Sequence, residues 1–248
     1  FYDINKKIFS NNISLINSYI FSLVPLNIYV VGQISSINIQ ILLSLLFIQF
    51  LFDITYKQSF KNIIILSIIS GLLLLTRGEF ILILFISLFY LIFFKKIKIL
   101  NFFIIILIAL LIASPYLARN YFTFGQTTIV KSFGYNLWKG NNQLSLVEGS
   151  GFKPRLSFDD PNYKFKDPDL NLLKKRVEDI PVDKYYEIKR DKIFFDRAVK
   201  NLLEDPIRYF TLFLKKIFSF YFVDFNSNYP NYYNPFHLIP MLIISMLS

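Results

Sequence analysis

Apolar and polar residues alternate in long blocks along the first half of this chain. Five predominantly apolar runs cover residues 12–24, 35–54, 63–75, 80–94 and 99–114. A helix of about 20 residues crosses the roughly 30 Å hydrocarbon core of a bilayer. The pattern therefore predicts an all-α polytopic membrane protein, with a transmembrane bundle of about five spans over residues 1–118.

Two prolines mark predicted helix ends. A helix usually ends near the residue before a proline. We therefore expect the first helix to end at Val24, with an irregular turn over residues 25–27, and the fifth helix to stop at Pro115. The third and fourth runs are shorter than a comfortable span, so those helices must pack inside the bundle or thin the bilayer locally.

Lysines gather between successive pairs of apolar runs. The clusters are Lys6-Lys7, Lys57 with Lys61, and Lys95-Lys96 with Lys98. Each cluster is separated from the next by two predicted spans, so all three are expected on one face. The positive-inside rule makes that face cytoplasmic. The opposite face then receives the turn at Pro25, the turn over residues 76–79 and the chain after Pro115.

The second half of the chain is more polar. Residues 119–206 are rich in charge and are predicted to form an extracytoplasmic subdomain that includes a helix over residues 182–203. Residues 207–223 are apolar but contain Lys215-Lys216, and a lysine at mid-bilayer costs about 2.5–3.5 kcal/mol. We therefore predict an interfacial helix with snorkelling lysines. Residues 224–248 are predicted to form an aromatic loop and the start of a truncated span.

Composition supports a membrane protein and excludes several other classes. The chain is 54% hydrophobic and only 18% charged, with a mean hydropathy of +0.45. The net charge is +10, but the lysines and the arginine of the first half lie at the ends of apolar runs, which fits membrane topology and not nucleic-acid binding. The chain contains no cysteine, which excludes disulfides and thiol chemistry within it.

Metal-ligating patterns are weak. The single histidine, His237, is interpreted as an interfacial side chain, since one histidine makes no His-based metal site. Asp159-Asp160 with Asp167 and Asp169 match no calcium loop in their spacing and are interpreted as a solvated loop. No metal site is therefore assigned, and no cofactor is predicted with certainty.

Several polar residues fall on the predicted outer face. They are Arg77 with Glu79, Arg119-Asn120, and the segment Leu137-Trp138-Lys139-Gly140-Asn141-Asn142. Guanidinium groups bind phosphate oxygens bidentately and keep their charge, so two arginines at a lipid–water boundary suit an amphiphile with an anionic phosphate head. The alternatives are interfacial anchoring by the arginines, a local Arg77–Glu79 ion pair, and the general preference of tryptophan for interfaces.

The order of these features resembles a known family. The pattern consists of Tyr29-x-x-Gly32, Leu75-Thr76-Arg77-x-Glu79, Ser114-Pro115-x-x-x-Arg119-Asn120-Tyr121-x-x-Phe124-Gly125 and Asn136-Leu137-Trp138-x-Gly140-Asn141-Asn142. It is similar to the integral-membrane glycosyltransferases that use polyprenyl-phosphate sugars, the GT-C fold enzymes grouped with protein mannosyltransferases and aminoarabinose transferases. The chain departs from the family pattern at Gly78, where proline is frequent, and at Asn38, where an acid is frequent.

The resemblance implies a GT-C-like helix bundle, and the absence of cysteine and the short loops favour a bacterial inner membrane. Such an enzyme transfers a sugar from a polyprenyl-phosphate donor to a lipid, glycan or protein acceptor on the outer face. Arg77 and Arg119 would bind the donor phosphate, supported by Glu79, Asn120, Trp138, Lys139 and Asn141. The general-base aspartate is expected upstream of Phe1, because the chain resembles a fragment that lacks the N-terminal region. A divalent metal requirement is left open.

Other functions were weighed against this one. A lipid-linked glycan polymerase or ligase also handles lipid-bound sugars and also places charged residues outside the membrane. A transporter or flippase predicts ionisable residues inside the spans, and the apolar runs contain almost none: Asp53 lies at the end of one. A purely structural membrane protein is the remaining alternative.

Overall fold

The computed structural model describes residues 1–33, 35–95, 97–129, 132–147, 164–221, 235 and 238–239. Within these residues the protein is all-α, with no β-strand. The helices are α1 (Tyr2–Asn5), α2 (Asn11–Leu23), α3 (Pro25–Val31), α4 (Ser36–Tyr56), α5 (Phe60–Thr76), α6 (Phe80–Phe93), α7 (Ile99–Phe124), α8 (Phe133–Gly140), α9 (Pro168–Glu178), α10 (Tyr186–Glu204) and α11 (Pro206–Tyr221). The chain divides into two compact units, unit 1 (Phe1–Val130) and unit 2 (Lys131–Ser248).

The predicted turn at Pro25 is wrong, because Pro25 begins α3. Proline is favoured at the first helical position, where its missing N–H would have no partner and its fixed φ suits the helix. Only Val24 departs from helical geometry, with φ −59° and ψ 121°. The Asn38 side chain at the start of α4 donates to the Val30 carbonyl, 3.0 Å away, near the end of α3.

Helices α4, α5 and α6 agree with the apolar runs from which they were predicted. Ser35 begins α4 by accepting a hydrogen bond from the Ile37 N–H at 3.2 Å, and Ser59 does the same for α5 through the Asn62 N–H at 3.2 Å. Serine is a favoured N-cap because its hydroxyl satisfies an N–H that has no partner within the helix. The two serines therefore fix where the apolar runs become helical.

The predicted stop at Pro115 is also wrong, because α7 continues through it to Phe124. A proline inside a helix removes the N–H that would bind the carbonyl four residues earlier. Here that carbonyl belongs to Leu111, and the Ser114 hydroxyl donates to it at 2.8 Å. Since a neighbouring hydroxyl replaces the missing donor, the helix proceeds without a break.

The core of unit 1 is built around α5. Buried side chains from α4, α5, α6 and α7 form one hydrophobic cluster, which includes Phe47, Leu66, Leu73, Leu88 and Ile105. Gly71 allows α5 to approach α7 closely: a Cβ at this position would lie 2.6 Å from the Ile112 Cβ and 2.9 Å from the Ala109 carbonyl oxygen. The absence of a side chain at Gly71 therefore determines how closely the two helices pack.

Polar contacts hold the N-terminal segment against the end of α4. The Lys7 ammonium forms an ion pair with Asp53 and donates to the Gln49 carbonyl at 3.3 Å. The Tyr56 hydroxyl lies 3.3 Å from the Lys7 carbonyl oxygen, to which it donates. Lys7 therefore lies at the same end of α4 as Lys57, the residue that follows this helix.

Two helices in the described part of the chain, α4 and α7, are long and apolar enough to cross a membrane. Helices α5 and α6 are apolar but shorter, with 17 and 14 residues. Large apolar side chains on both spanning candidates are exposed, for example Leu42 on α4 and Leu107 on α7. The number of spans, their orientation and the sidedness of each unit stay predictions.

Unit 2 has its own hydrophobic core, made by α8, α9 and α10. The predicted helix over residues 182–203 corresponds to α10, which begins at Tyr186. Asp159-Asp160, His237 and almost all of the predicted aromatic loop and truncated span over residues 224–248 lie outside the described residues. The loop interpretation is wrong for Asp169, which lies in the first turn of α9 and forms an ion pair with Arg197 at 2.9 Å, while Asp167 is the N-cap of that helix.

Candidate functional site

Arg77 and Glu79 occupy the short connection between α5 and α6. The Arg77 N–H closes α5 by donating to the Leu73 carbonyl at 3.0 Å. An Arg77 guanidinium nitrogen lies 3.7 Å from a Glu79 carboxylate oxygen, and both side chains are exposed. Exposed pairs at this separation contribute at most about 1 kcal/mol. The guanidinium is therefore held only weakly by its own carboxylate.

Arg119 lies near the C-terminal end of α7, and its side chain is exposed. Its guanidinium Nη1 donates to the Oδ1 of Asn120 at 3.1 Å. Asn120 is fully buried, and its amide Nδ2 donates to the Thr128 carbonyl at 2.7 Å. Asn120 therefore fastens the chain that follows α7 and orients the Arg119 side chain at the same time.

Gly125 ends α7 in a left-handed conformation, with φ 69° and ψ 13°. Residues with a Cβ disfavour this region, and glycine does not. The Gly125 N–H donates to the Tyr121 carbonyl at 2.7 Å, which closes the last turn. Phe124 and Gly125, which end the Arg-Asn-Tyr-x-x-Phe-Gly motif, therefore form the C-terminus of α7. The chain turns there, so that the Asn120 amide can donate to the Thr128 carbonyl.

Arg77 and Arg119 lie at the same end of the helices that carry them. The connections between α5 and α6 and between α6 and α7 are three and five residues long, and such short links join antiparallel neighbours. Helices α5 and α7 therefore run in one direction, in contact at Gly71 and Ile112. Arg77 follows Gly71 by six residues, and Arg119 follows Ile112 by seven, which is roughly 9–10 Å of helix in both cases.

This end of unit 1 has the chemistry of an anion site. It carries two exposed guanidinium groups, Arg77 and Arg119, and one exposed carboxylate, Glu79. Guanidinium donors suit phosphate oxygens. Among the described residues no group of three His, Cys, Asp or Glu side chains is arranged to hold a metal ion. The charged groups of the predicted site at this end are therefore two guanidinium groups and the Glu79 carboxylate, which lies 3.7 Å from Arg77.

Trp138 lies in the core of unit 2 and not at a surface. Its side chain is 0% exposed. Its ring centroid is 4.9 Å from that of Phe194 and 6.2 Å from that of Tyr135. The alternative that Trp138 lies at an interface is therefore wrong, because the indole is enclosed by the core of its own unit, and its predicted supporting role stays a prediction.

The rest of the Leu-Trp-x-Gly-Asn-Asn motif forms the C-terminal end of α8. The Asn141 amide donates to the Leu137 carbonyl at 2.8 Å. The buried Asn142 donates to the Trp138 carbonyl at 3.0 Å and accepts from the Leu144 N–H at 2.8 Å. Lys139 is exposed. The two asparagines thus terminate a helix, and Lys139 is the motif residue whose charged side chain faces solvent.

Asp191 and Gly134 hold the N-terminal end of α8 on α10. The two Asp191 carboxylate oxygens accept from the Gly134 N–H at 3.0 Å and from the Tyr135 N–H at 2.8 Å. A carboxylate at a helix N-terminus satisfies free N–H groups and complements the helix dipole. Sequence reasoning missed Asp191, which lies 57 residues from Gly134 and belongs to no local motif.

Two cations of α11 bind carbonyls at the other end of α8. The Lys216 ammonium donates to the Gly140 carbonyl at 2.6 Å, and the Arg208 guanidinium donates to the Gln143 carbonyl at 2.7 Å. Burial lowers the pKa of Lys216 from its ordinary value. Cations are favourable at a helix C-terminus, where the carbonyl groups lack partners. Lys216 was expected to extend towards lipid head groups, and instead it contacts the protein.

The predicted site residues therefore divide between the two units. Arg77, Glu79, Arg119 and Asn120 belong to unit 1, where Arg77 directly follows α5 and Arg119 lies near the C-terminal end of α7. Trp138, Lys139 and Asn141 belong to unit 2, where they lie together on α8 and at its end.

Comparison with known proteins gives one match. Residues 1–118 match the family model of dolichyl-phosphate-mannose-protein mannosyltransferase. The matched segment contains α1 to α6 and most of α7, includes Arg77 and Glu79, and ends one residue before Arg119. No curated protein and no solved structure matches the chain. The N-terminal part of this all-α chain is thus similar to a family of membrane-associated glycosyltransferases.

Proposed function

We propose that the protein is a glycosyltransferase that moves a sugar from a polyprenyl-phosphate donor to a lipid, glycan or protein acceptor on the outer face of a membrane. The family match over residues 1–118 is the observation that carries this proposal. The name of that family describes a transferase that takes mannose from dolichyl phosphate and acts on protein. For this chain the sugar, the lipid and the acceptor are part of the proposal.

Arg77 and Arg119 are proposed to bind the donor phosphate. Both guanidinium groups are exposed at one end of α5 and α7, and Asn120 orients the second of them. In the reaction, an acceptor hydroxyl oxygen forms a bond to the anomeric carbon while the bond from that carbon to the phosphate oxygen breaks. The hydroxyl proton goes to a general base, and the polyprenyl phosphate leaves as an anion that the arginines stabilise.

Glu79 is proposed as a supporting residue. Its carboxylate is 3.7 Å from the Arg77 guanidinium, close enough to direct that group and too far for a strong hydrogen bond. A donor phosphate can therefore take over the guanidinium N–H groups without first breaking a buried ion pair.

Binding of the donor lipid tests the roles of the arginines. The 248-residue chain would be reconstituted in nanodiscs and titrated with a fluorescent short-chain polyprenyl phosphate, with the matching polyprenol as the uncharged probe. A hydrogen bond to a charged group is worth about 1.5–3 kcal/mol, so Arg77→Gln and Arg119→Gln should each weaken phosphate binding about 10- to 100-fold. The polyprenol should bind all variants equally.

The same helices supply matched controls. Lys61 and Lys98 are exposed cations at the opposite ends of α5 and α7. Lys61→Gln and Lys98→Gln remove the same charge from the same two helices, and they should leave the affinity for polyprenyl phosphate within about twofold of the unmodified chain, since rim charges contribute little. If all four variants lose affinity equally, the arginines act only through net charge, and the proposed phosphate site is wrong.

Sugar transfer tests the wider proposal. Membranes that contain the protein would be incubated with a radiolabelled polyprenyl-phosphate sugar, and transfer to lipid, glycan and protein fractions would be followed. Transfer that is lost in Arg77→Gln and Arg119→Gln but kept in Lys61→Gln and Lys98→Gln supports a glycosyltransferase. Transfer that persists unchanged in Arg77→Gln and Arg119→Gln would contradict the roles proposed for the two arginines in the reaction, whatever the result of the binding titration.

A further inference from the structure

Helix α11 presents a large apolar surface that unit 2 does not use. Most large apolar side chains along this helix are exposed within the unit. They are Ile207, Phe210, Phe213, Leu214, Ile217 and Phe218, with exposed fractions between 42% and 80%. At 100° per residue these six positions occupy one continuous face about 140° wide. We call this surface the α11 apolar face.

The opposite side of α11 is attached to the rest of unit 2. Tyr209 is buried, Leu212 is partly buried, and Lys216 donates to the Gly140 carbonyl at 2.6 Å. On a helical wheel these three residues lie within about 60° of one another and opposite the apolar face. The orientation of α11 about its own axis is therefore fixed by protein contacts, and the apolar face is directed away from α8.

Positive charge borders the apolar face, and α11 contains no acidic residue. Lys215 is exposed and lies beside Arg208 on the helical wheel, at one edge of the face. The Arg208 guanidinium donates to the Gln143 carbonyl and so faces α8. An apolar face with a cationic edge is the pattern of helices that lie in the interface of a bilayer with anionic lipids.

We propose that α11 lies in the plane of a membrane interface, with its apolar face among the upper acyl chains and Lys215 at anionic head groups. The helix has 16 residues, or about 24 Å, which is short of the roughly 30 Å hydrocarbon core. Its middle is fixed to α8 through Lys216, so it could not enter the core without drawing a polar helix with it. The same chain contains α4 and α7, which have the length and composition of membrane spans.

The absence of cysteine makes a direct test possible. Single cysteines at residues 207–219 of the full chain would be labelled with a nitroxide after reconstitution in vesicles of phosphatidylcholine and phosphatidylglycerol. Electron paramagnetic resonance then compares collisions with oxygen, which is concentrated in lipid, and with a water-soluble nickel chelate. The matched control sites are Glu187 and Lys192 on α10, both exposed and polar.

The proposal predicts a periodic result. Oxygen accessibility should exceed chelate accessibility at Phe210, Phe213, Leu214 and Phe218, with a period of about 3.6 residues and a uniform depth of about 5–10 Å below the phosphates. Glu187 and Lys192 should favour the chelate. Replacing phosphatidylglycerol by phosphatidylcholine should move Lys215 and its neighbours towards water, because the lysine loses its anionic partners.

Three other results would each overturn the proposal. Labels on the apolar face that are immobile and reached by neither reagent mean that another protein surface covers the face. Labels that favour the chelate mean that the face lies in water. A depth that increases steadily along α11 to the bilayer centre means that the helix is inserted across the membrane. Because every position is read separately, one variant that fails to fold does not obscure the pattern.

Discussion

Gly134, the second residue of α8, contacts the backbone of α10. A Cβ at this position would lie 2.2 Å from the Asp191 carbonyl oxygen, 2.7 Å from the Phe195 Cβ and 2.9 Å from the Phe195 nitrogen. Optimal separations between carbon atoms are about 3.5–4.0 Å, so α8 and α10 would have to move apart by roughly 1 Å. Two of the three obstructing atoms are backbone, which no rotamer change can remove.

The magnitude of the Gly134→Ala effect follows from three contributions. Alanine inside a helix is favoured over glycine by about 0.5–1 kcal/mol. Overpacking against fixed atoms costs about 1–3 kcal/mol. Moving α8 also weakens the two hydrogen bonds from its N-terminus to Asp191, and losing such a cap costs about 0.5–2 kcal/mol. We therefore expect Gly134→Ala to destabilise unit 2 by about 1–4 kcal/mol in total, although alanine is favoured over glycine inside a helix.

Trp138 supplies the assay, because it is the only tryptophan of the chain and lies in the core of unit 2. Thermal unfolding followed by tryptophan fluorescence in detergent reports on unit 2 alone. One kcal/mol shifts the Tm of a domain of 60–100 residues by about 4–8 °C, so Gly134→Ala should lower the midpoint by roughly 4–30 °C.

Gly140, at the other end of α8, is the matched control. A Cβ there would have the Lys216 Nζ as its nearest neighbour, at 3.5 Å, which is ordinary van der Waals contact. Gly140→Ala should therefore change the midpoint by no more than a few degrees, on the order of the ±0.5 kcal/mol of an unobstructed substitution. A Gly134→Ala variant that melts at or above the unmodified chain would refute the close approach of α8 and α10.

Three further predictions concern the same helix contacts. Gly71→Ala should destabilise unit 1 by about 1–3 kcal/mol, seen as earlier loss of helical circular dichroism, because its Cβ would lie 2.6 Å from the Ile112 Cβ. Asp191→Ala should cost about 0.5–2 kcal/mol by tryptophan fluorescence, whereas the exposed Asp196→Ala should not. Burial lowers the pKa of Lys216 below its ordinary value of 10.5, so just below pH 10.5 the folded state binds fewer protons than the unfolded state. The free energy of unfolding, measured by denaturant titration, should therefore rise as the pH approaches 10.5. The Lys216→Met variant should not show this rise.

The membrane helices could be predicted from the sequence because lipid imposes a simple requirement. Each span needs a long apolar run whose backbone groups are all satisfied within the helix. The run that became α4 meets that requirement, whereas the runs that became α5 and α6 are apolar but shorter than a span. The structure agrees with all three runs to within a few residues. The all-α class followed from the same pattern.

The errors at Pro25 and Pro115 share a physical cause. The proline rule considers only the lost N–H and the steric restriction on the preceding residue. Pro25 is the first residue of α3, where an N–H would have no acceptor within the helix. At Pro115 the Ser114 hydroxyl donates in place of the missing N–H. Whether a proline ends a helix therefore depends on its position in that helix, which the residue types alone do not specify.

The candidate site was predictable only in part. The exposure of Arg77 and Arg119 followed from their position at the ends of apolar runs. Trp138 was predicted to support the donor site, with the preference of tryptophan for interfaces as the alternative. Tryptophan also favours cores, and only tertiary packing shows that Trp138 lies in one. Asp191 could not be found, because its contact with α8 joins residues far apart in the sequence.

The length of α7 has a consequence for the position of Arg119. From Ile99 to Arg119 the helix advances 20 residues, about 30 Å, which equals the thickness of a hydrocarbon core. An upright α7 whose first residue lies at one boundary therefore carries the guanidinium to the other boundary, at a depth set by the number of residues and not by the course of a loop. One residue inserted between them would raise the charge by about 1.5 Å and rotate it by about 100°, whereas an insertion after Gly125 would leave its depth and direction unchanged.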